Sequence, residues 1–329
     1  MIRRSWVLVL LASCGGGEGS LKGAILRDLA SGVLLPARRD FAEKASELRR
    51  AAEEGSPEDA RRAWAAARRS WNLCQAGLVG PESDRLLDAK IDSFPVQAAR
   101  LSDLAAESGP LGPDAIERLG AGAKGLRAIE HLVFTESPVA SRERELLVAL
   151  SRNLEAVAVE IRDLWEPGRG GFAATPPEAA LDLLVNRMVV IAEATADLNL
   201  AWPLGRRGGE TAPPRPELVR SRPSGRSREE VVETLEGIMA LYEGPPGGLG
   251  LSALVARAAP DLDAPIRESF ERARARASAL PAPVDRSIVE HPAAVMDAFA
   301  ALKEFKMRLA TDLASACRTT LRVSPFDGD

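Results

Sequence analysis

The sequence feature that most restricts the fold is the spacing of apolar residues, which recur every three or four positions over long segments. No segment sustains the two-residue alternation that a half-buried strand requires. Ala, Leu, Arg and Glu predominate, and aromatic residues make up only 4% of the chain. The sequence therefore predicts an all-α protein.

The predicted helices form two groups, separated by residues 205–224. This junction is rich in Gly, Pro and Arg and has few apolar residues, so we expect it to act as a linker. A chain of 329 residues, 46% of them hydrophobic, can bury one large core or two smaller ones. We predict helical bundles at 21–204 and 225–329. The individual helices are predicted at 21–53, 57–79, 82–107, 113–134, 139–165, 177–200, 227–243, 249–259, 261–279 and 287–319.

The start of the chain resembles an export signal. Arg3 and Arg4 precede a short apolar run that is too brief to span a bilayer. The run ends in Leu-Ala-Ser before Cys14, the order that lipoprotein processing requires. We predict a lipoprotein signal peptide at 1–13, lipidation of Cys14 and a flexible tether at 14–20. The protein would then be exported and anchored to a membrane of the bacterial cell envelope. An ordinary signal peptide cut nearby is the alternative.

The charge balance excludes one class of partner. Removing residues 1–13 takes away two of the 43 basic residues and none of the 47 acidic ones, so the formal net charge moves from -4 to -6. No basic face with interleaved aromatic residues is present. Nucleic-acid binding therefore has no electrostatic support.

Two cysteines, Cys74 and Cys317, remain after Cys14. In an oxidising compartment they could form one disulfide. Alternatively, each is a small apolar core residue on its own helix. Both interpretations remain open, because the pairing depends on the distance between their Cα atoms.

Common enzyme motifs are absent from the sequence. There are two histidines, His131 and His291, and no His-Glu-x-x-His, nucleophile elbow, phosphate-binding loop or Cys-x-x-Cys. What remains is the helical segment 125–134, where Arg127 and Glu130 are three residues apart and share a face. Their simplest interpretation is an intrahelical ion pair. His131 lies about 100° further round the helix and is expected to be an ordinary packed or exposed side chain.

This segment resembles the Gly-x-His-x-x-Glu motif of the imelysin family, and an apolar Leu-Val-Phe follows it. Other landmarks of that family occur in the same order, so that the resemblance runs from about residue 21 to residue 329. Each motif is weak alone, but the ordered set is fairly specific. The landmarks are Trp64 and Trp71 with Gly80-Pro81, Ile91-Asp92-Ser93-Phe94-Pro95, Trp202-Pro203-Leu204-Gly205, Leu241-Tyr242-Glu243-Gly244 and Phe326-Asp327-Gly328-Asp329.

The resemblance implies two helical bundles, a periplasmic or cell-surface location and a link to iron uptake or iron-regulated expression. Some members are described as metallopeptidases. In the family motif, histidine and glutamate are lone-pair donors that can both face a metal. Here Arg127 takes the histidine position, and a guanidinium group stays protonated and offers no lone pair. Only Gly125 and Glu130 carry over at the motif, with Asp92 as a further matching acid.

The favoured hypothesis is a non-catalytic binding lipoprotein, associated with iron or metal uptake or sensing, whose metal site is degenerate. Its candidate site residues are Glu130, Arg127 and Asp92. No cofactor is assigned; iron and zinc are the candidate metals, and a small anion clamped by Arg127 is the alternative ligand. A metallopeptidase would need ligands from elsewhere in the chain. A structural or partner-binding surface lipoprotein is the third hypothesis.

Overall fold

The computed structural model describes residues 16–134, 141–167, 171–172, 175–207 and 210–322. These residues are helical apart from loops and two short antiparallel strands, β1 (Arg206–Arg207) and β2 (Glu210–Thr211). The predicted all-α class is confirmed. Before the strands the helices are α1 (Gly16–Leu29), α2 (Leu35–Glu54), α3 (Pro57–Cys74), α4 (Pro81–Asp84), α5 (Leu87–Ile91), α6 (Ala98–Ala106), α7 (Pro113–Glu117), α8 (Gly125–Phe134), α9 (Ser141–Asp163) and α10 (Pro177–Ala196). After them come α11 (Ser227–Glu243), α12 (Ser252–Ala258), α13 (Asp263–Ser278), α14 (Val284–Glu290), α15 (Pro292–Arg308) and α16 (Ala314–Cys317).

The predicted signal peptide and Cys14 lie outside the described residues. The expected tether, 14–20, is helical from Gly16 onward. An existing helix extends at little cost because its nucleus has already formed, which accounts for this difference. No helix in the described ranges is both long and apolar enough to cross a membrane.

Three predicted helices are interrupted. The helix expected at 82–107 is divided into α4, α5 and α6. Leu86, with a left-handed φ of 53°, separates α4 from α5. Pro95, which has no amide hydrogen to donate and disfavours a helical residue before it, separates α5 from α6. The helix expected at 113–134 stops after α7, and the chain passes Gly120 before α8 begins. Pro292 similarly separates α14 from α15.

Several helices continue through π-helical turns. Residues Ala30–Leu34 join α1 to α2, residues Asp197–Ala201 extend α10, and Leu309–Leu313 connects α15 to α16. Each turn inserts one residue relative to α-helix geometry and so rotates the side chains that follow. The expected long helix at 21–53 is thus observed as α1, a π turn and α2.

The buried apolar residues form two cores. The first lies among α2, α3, α8 and α9 and includes Phe41, Trp64 and Trp71. The second joins α1 and α10 to α11, α13 and α15, and includes Ile25 and Phe305. The second core therefore draws on helices from both sides of the junction.

Cys74 lies in the first core and Cys317 in the second, and both thiols are free. Burial raises the pKa of Cys74 to about 11 and that of Cys317 to about 12. The interpretation as separate core residues is the one that the structure supports.

The junction is ordered along its second half. Residues 211–217 are mostly exposed, whereas Val219 and Ser221 are buried. Ser221 has a φ of 48°, in the left-handed region that costs a residue with a Cβ about 1 kcal/mol or more. Within the predicted linker, residues 219–221 therefore pack against the helices, whereas residues 211–217 remain mostly exposed.

Candidate functional site

The start of α8 lies directly against the end of α5. Gly125 has a φ of 77°, and a Cβ at this position would be 2.3 Å from the carbonyl oxygen of Ile91. Only glycine accommodates both the conformation and the approach. Asp92 follows α5 immediately, so this contact places its carboxylate beside the first turn of α8.

Arg127, in that first turn, is saturated by protein acceptors. Its Nε donates to Asp92 Oδ1 at 2.7 Å, and its Nη2 donates to Glu230 Oε2, on α11, at 3.0 Å. Nη1 donates to the Ser221 hydroxyl at 2.6 Å and to Glu230 Oε1 at 3.3 Å. Arg127 thus joins α5, α8, α11 and the junction.

Arg68, on α3, approaches the same two carboxylates from the other side. Its Nη1 lies 2.9 Å from Asp92 Oδ2, and its Nε lies 2.6 Å from Glu230 Oε1. These are ionic contacts without hydrogen-bond alignment. We call Arg68, Asp92, Arg127 and Glu230 the charge cluster; in it each carboxylate contacts both arginines. Trp71 Nε1 also donates to Asp92 Oδ2, at 3.3 Å.

Glu130 lies beside the cluster and has different partners. Its distance to Arg127 Nη1 is 3.9 Å, the longest of that arginine's ionic contacts. Glu130 Oε1 instead accepts the Ser224 amide at 3.1 Å and the Ser224 hydroxyl at 2.6 Å. The predicted Arg127–Glu130 pair is therefore a minor contact. The main contacts of Glu130 are its hydrogen bonds with Ser224, which connect the junction to α8.

Burial and charge act in opposite directions on the acids. Burial opposes ionisation of Asp92 and of Glu230, but in both cases Arg127 and Arg68 outweigh it and hold the pKa below its ordinary value. Burial also acts against the charged form of Arg127, yet Asp92 and Glu230 raise its pKa. For Glu130, burial dominates over the attraction of Arg127 and raises the pKa.

A cavity of about 290 Å³ opens beside the charge cluster. Residues of α3 and α10, spaced three or four positions apart, supply much of its lining. The other lining residues come from the end of α5, the first turn of α8, α11 and the junction. One part of the lining is charged and another is apolar. The α10 contribution is Arg187, Val190, Ile191, Ala194 and Thr195, and the α3 contribution is Arg68, Trp71, Asn72 and Gln75.

The site does not fit a metal ion as it stands. The oxygens of Asp92 and Glu230 that would serve as ligands already contact guanidinium groups, and those of Glu130 accept serine donors. A cation there would meet the positive charge of Arg127 and Arg68. Within the part of the chain that the structure describes, no three His, Cys, Asp or Glu side chains are grouped to hold a metal. His131 is half-buried, and burial lowers its pKa.

The structure brings the sequence-predicted residues of the candidate ligand site together: Asp92, Gly125, Arg127 and Glu130 are neighbours. Sequence reasoning missed Arg68, Ser221 and Glu230. Arg68 carried a usable signal, since it lies four residues after Trp64 and three before Trp71, on the buried stripe of an amphipathic helix.

The sequence model of the imelysin family matches residues 33–309. Iron-regulated protein A of Synechococcus elongatus is 25% identical over 167 residues, which are 49% of this chain and 45% of that protein, so the chain matches less than half of its relative's length.

Two solved structures share the fold. An iron-regulated protein A precursor from Parabacteroides distasonis superposes with a TM-score of 0.79 at 20% identity, covering 92% of this chain and 97% of its own. An imelysin-like protein from Psychrobacter arcticum gives a TM-score of 0.80 at 14% identity, with 93% and 98% covered.

Proposed function

This chain belongs to the imelysin family, and we propose that it is a non-catalytic binding lipoprotein of the bacterial cell envelope, associated with iron or metal uptake or sensing. The observation that carries the proposal is the placement of Arg127. It occupies the motif position of the metal-ligating histidine and bonds Asp92 and Glu230. A peptidase metal would need those oxygens free, together with an open coordination position for water.

The link to iron comes from the relatives, two of which carry the name iron-regulated protein A. The anchor is proposed from the Leu-Ala-Ser-Cys14 sequence at the end of the export signal. We expect Cys14→Ser to release the exported protein from the membrane fraction. Retention of this variant in membranes, after normal export, would contradict the anchor.

Metal titration tests the proposed loss of the metal site. By calorimetry with ferrous, ferric and zinc ions, we expect the native protein to bind none stoichiometrically. Arg127→His should gain measurable affinity, because it replaces a cation with a nitrogen donor beside Asp92, Glu130 and Glu230. The gain should be modest while Arg68 remains in contact with two of these acids.

Arg127→Met is the matched control, since it removes the same charge without adding a strong ligand for these ions. Zinc should raise the melting temperature of Arg127→His and leave that of Arg127→Met unchanged. Tight stoichiometric binding by the native protein that survives Glu130→Ala and Asp92→Asn would place the metal elsewhere and overturn this account of the site.

A further inference from the structure

Among the described residues, Arg220 is the cavity arginine that no carboxylate contacts at ion-pair distance. It lines the cavity beside the charge cluster, and its Nε is buried with no hydrogen-bond acceptor. No carboxylate of the described residues forms an ion pair with it. Its guanidinium carbon lies 5.4 Å from the centroid of the Phe94 ring, a cation–π contact. Arg220 is partly buried, and Asp92 and Glu230 attract it only from beyond contact distance. A partly buried charge without a carboxylate in contact is costly, so this position favours an incoming anion.

We propose that the cavity binds a small organic carboxylate, whose carboxylate group pairs with Arg220. This inference rests on the proposed binding function and names the class of ligand.

The other arginines of the cavity are committed to protein partners. Arg68 and Arg127 contact Asp92 and Glu230. Arg187 donates from Nε to the carbonyl oxygen of Gln75 at 3.1 Å and lies 3.4 Å from Asp88. The clamp that the sequence assigned to Arg127 therefore belongs to Arg220, whose planar, always-charged group suits a carboxylate.

The charge of the lining agrees with this assignment. Four arginines and three carboxylates line the cavity, so the lining carries one net positive charge. Burial, followed by repulsion from Arg127, outweighs the attraction of Asp92 and Glu230 and lowers the pKa of Arg220 to about 10. The group is still cationic at neutral pH, and an anion beside it would relieve both effects.

The apolar part of the lining favours an organic anion over an inorganic one. Val190, Ile191 and Ala194 form one face of α10 toward the cavity. These side chains offer nothing to phosphate or sulfate, whereas a short carbon chain would bury against them. A volume of about 290 Å³ suits a ligand of only a few carbons.

Calorimetry of the full-length protein at pH 7, in a buffer free of carboxylates and phosphate, tests the proposal. Succinate is the probe, succinamide is its uncharged counterpart, and inorganic phosphate is the inorganic competitor. We expect saturable binding of succinate, weaker binding of phosphate and none of succinamide. Arg220→Gln should weaken succinate binding about tenfold or more, the loss expected for a charge-assisted hydrogen bond.

Arg215→Gln is the matched control, because Arg215 is an exposed arginine of the same junction that pairs with Glu217. Its affinity for succinate should equal that of the native protein. Thermal unfolding provides an independent test of the same proposal. Without ligand, Arg220→Gln should melt no lower than the native protein, since it removes an unpaired buried charge, but succinate should no longer raise its melting temperature.

Several results would overturn the ligand class: no saturation by succinate, unchanged affinity in Arg220→Gln, equal binding of succinamide, or tighter binding of phosphate. A lower melting temperature of ligand-free Arg220→Gln would show that Arg220 is already compensated. None of these results bears on the metal titration. Stoichiometric metal binding by the native protein would instead overturn the proposed loss of the metal site, whether or not succinate binds.

Discussion

At the scale of single residues, Glu230 is one of the two carboxylates of the charge cluster that contact both arginines. Its carboxylate contacts Arg68 at 2.6 Å and Arg127 at 3.0 Å, and it also accepts the Ser221 hydroxyl. The side chains of all three charged residues are no more than 2% exposed. These side chains are therefore largely withdrawn from water, so the loss of the Glu230 charge would leave both arginines poorly compensated.

We expect Glu230→Gln to lower the free energy of unfolding by about 3–5 kcal/mol at pH 7, the usual cost of leaving a buried charge without its partner. Glu229→Gln is the control, because Glu229 is a neighbour on the same helix that pairs with the partly exposed Arg228. It should cost less than about 0.5 kcal/mol. Equal urea denaturation midpoints for the two variants would contradict the cluster's role in stability.

The effect of Glu230→Gln should also depend on pH. Because Arg127 and Arg68 hold the pKa of Glu230 below its ordinary value, the stabilisation is fully present above about pH 4.3, the value of a free glutamate. It is lost as the pH falls through the lower folded-state value. The difference in the free energy of unfolding between the native protein and Glu230→Gln should therefore shrink in acid. Urea denaturation at pH 7 and again well below about pH 4.3 measures this change.

The site itself was only partly predictable. Asp92, Arg127 and Glu130 could be found because they lie in motifs that resemble those of a known family. Glu230 could not, since it is 103 positions from Arg127 and no local periodicity links them. Arg220 is in a segment whose composition indicates a linker, and only its packing shows that it lines a cavity.

At the scale of secondary-structure elements, the three-to-four spacing predicted most helices to within a few residues, including α3, α9, α10 and α11. It failed where the chain changes direction within an apolar stretch. Around Asp92 the apolar pattern continues, but Pro95 prevents the backbone from following it. Periodicity indicates which face of a helix is buried and is a weak guide to where the helix ends.

The close contacts between helices could not be predicted from the sequence either. Gly125 and Gly237 lack a Cβ where a neighbouring carbonyl oxygen occupies the space: that of Ile91 for Gly125, and that of Leu73, 2.5 Å away, for Gly237. The second contact lets α11 lie directly against α3, which puts Glu230 beside Arg68. The need for glycine at each position is explained by a backbone carbonyl group on another helix.

At the scale of the whole molecule, the second core connects the two predicted bundles. Ile25 and Leu184 precede the junction, and Ile238 and Phe305 follow it, yet all four are buried in one cluster. The division at 205–224 remains a prediction about how the chain is organised. The shared core predicts that the two parts do not separate when the connection between them is cut.

Limited proteolysis with subtilisin, a protease of broad specificity, tests this. We expect the first cut within residues 211–217, which are mostly exposed, and no early cut at residues 219–221, because Val219 and Ser221 are buried. The nicked protein should elute as one species from a sizing column, held by the apolar surface buried on both sides. Early cleavage next to Ser221, or separation of the fragments without denaturant, would count against the shared core.

The core that joins α1 and α10 to α15 also has a consequence for biosynthesis. A ribosome makes α1 and α10 long before it makes Phe305, so the nascent chain carries the apolar faces of Ile25 and Leu184 without their final neighbours. Contacts between residues so distant in sequence form slowly, because the intervening chain must first be ordered. Folding of this part of the molecule therefore awaits α15, and a growing chain must be kept from aggregating until that helix has been made.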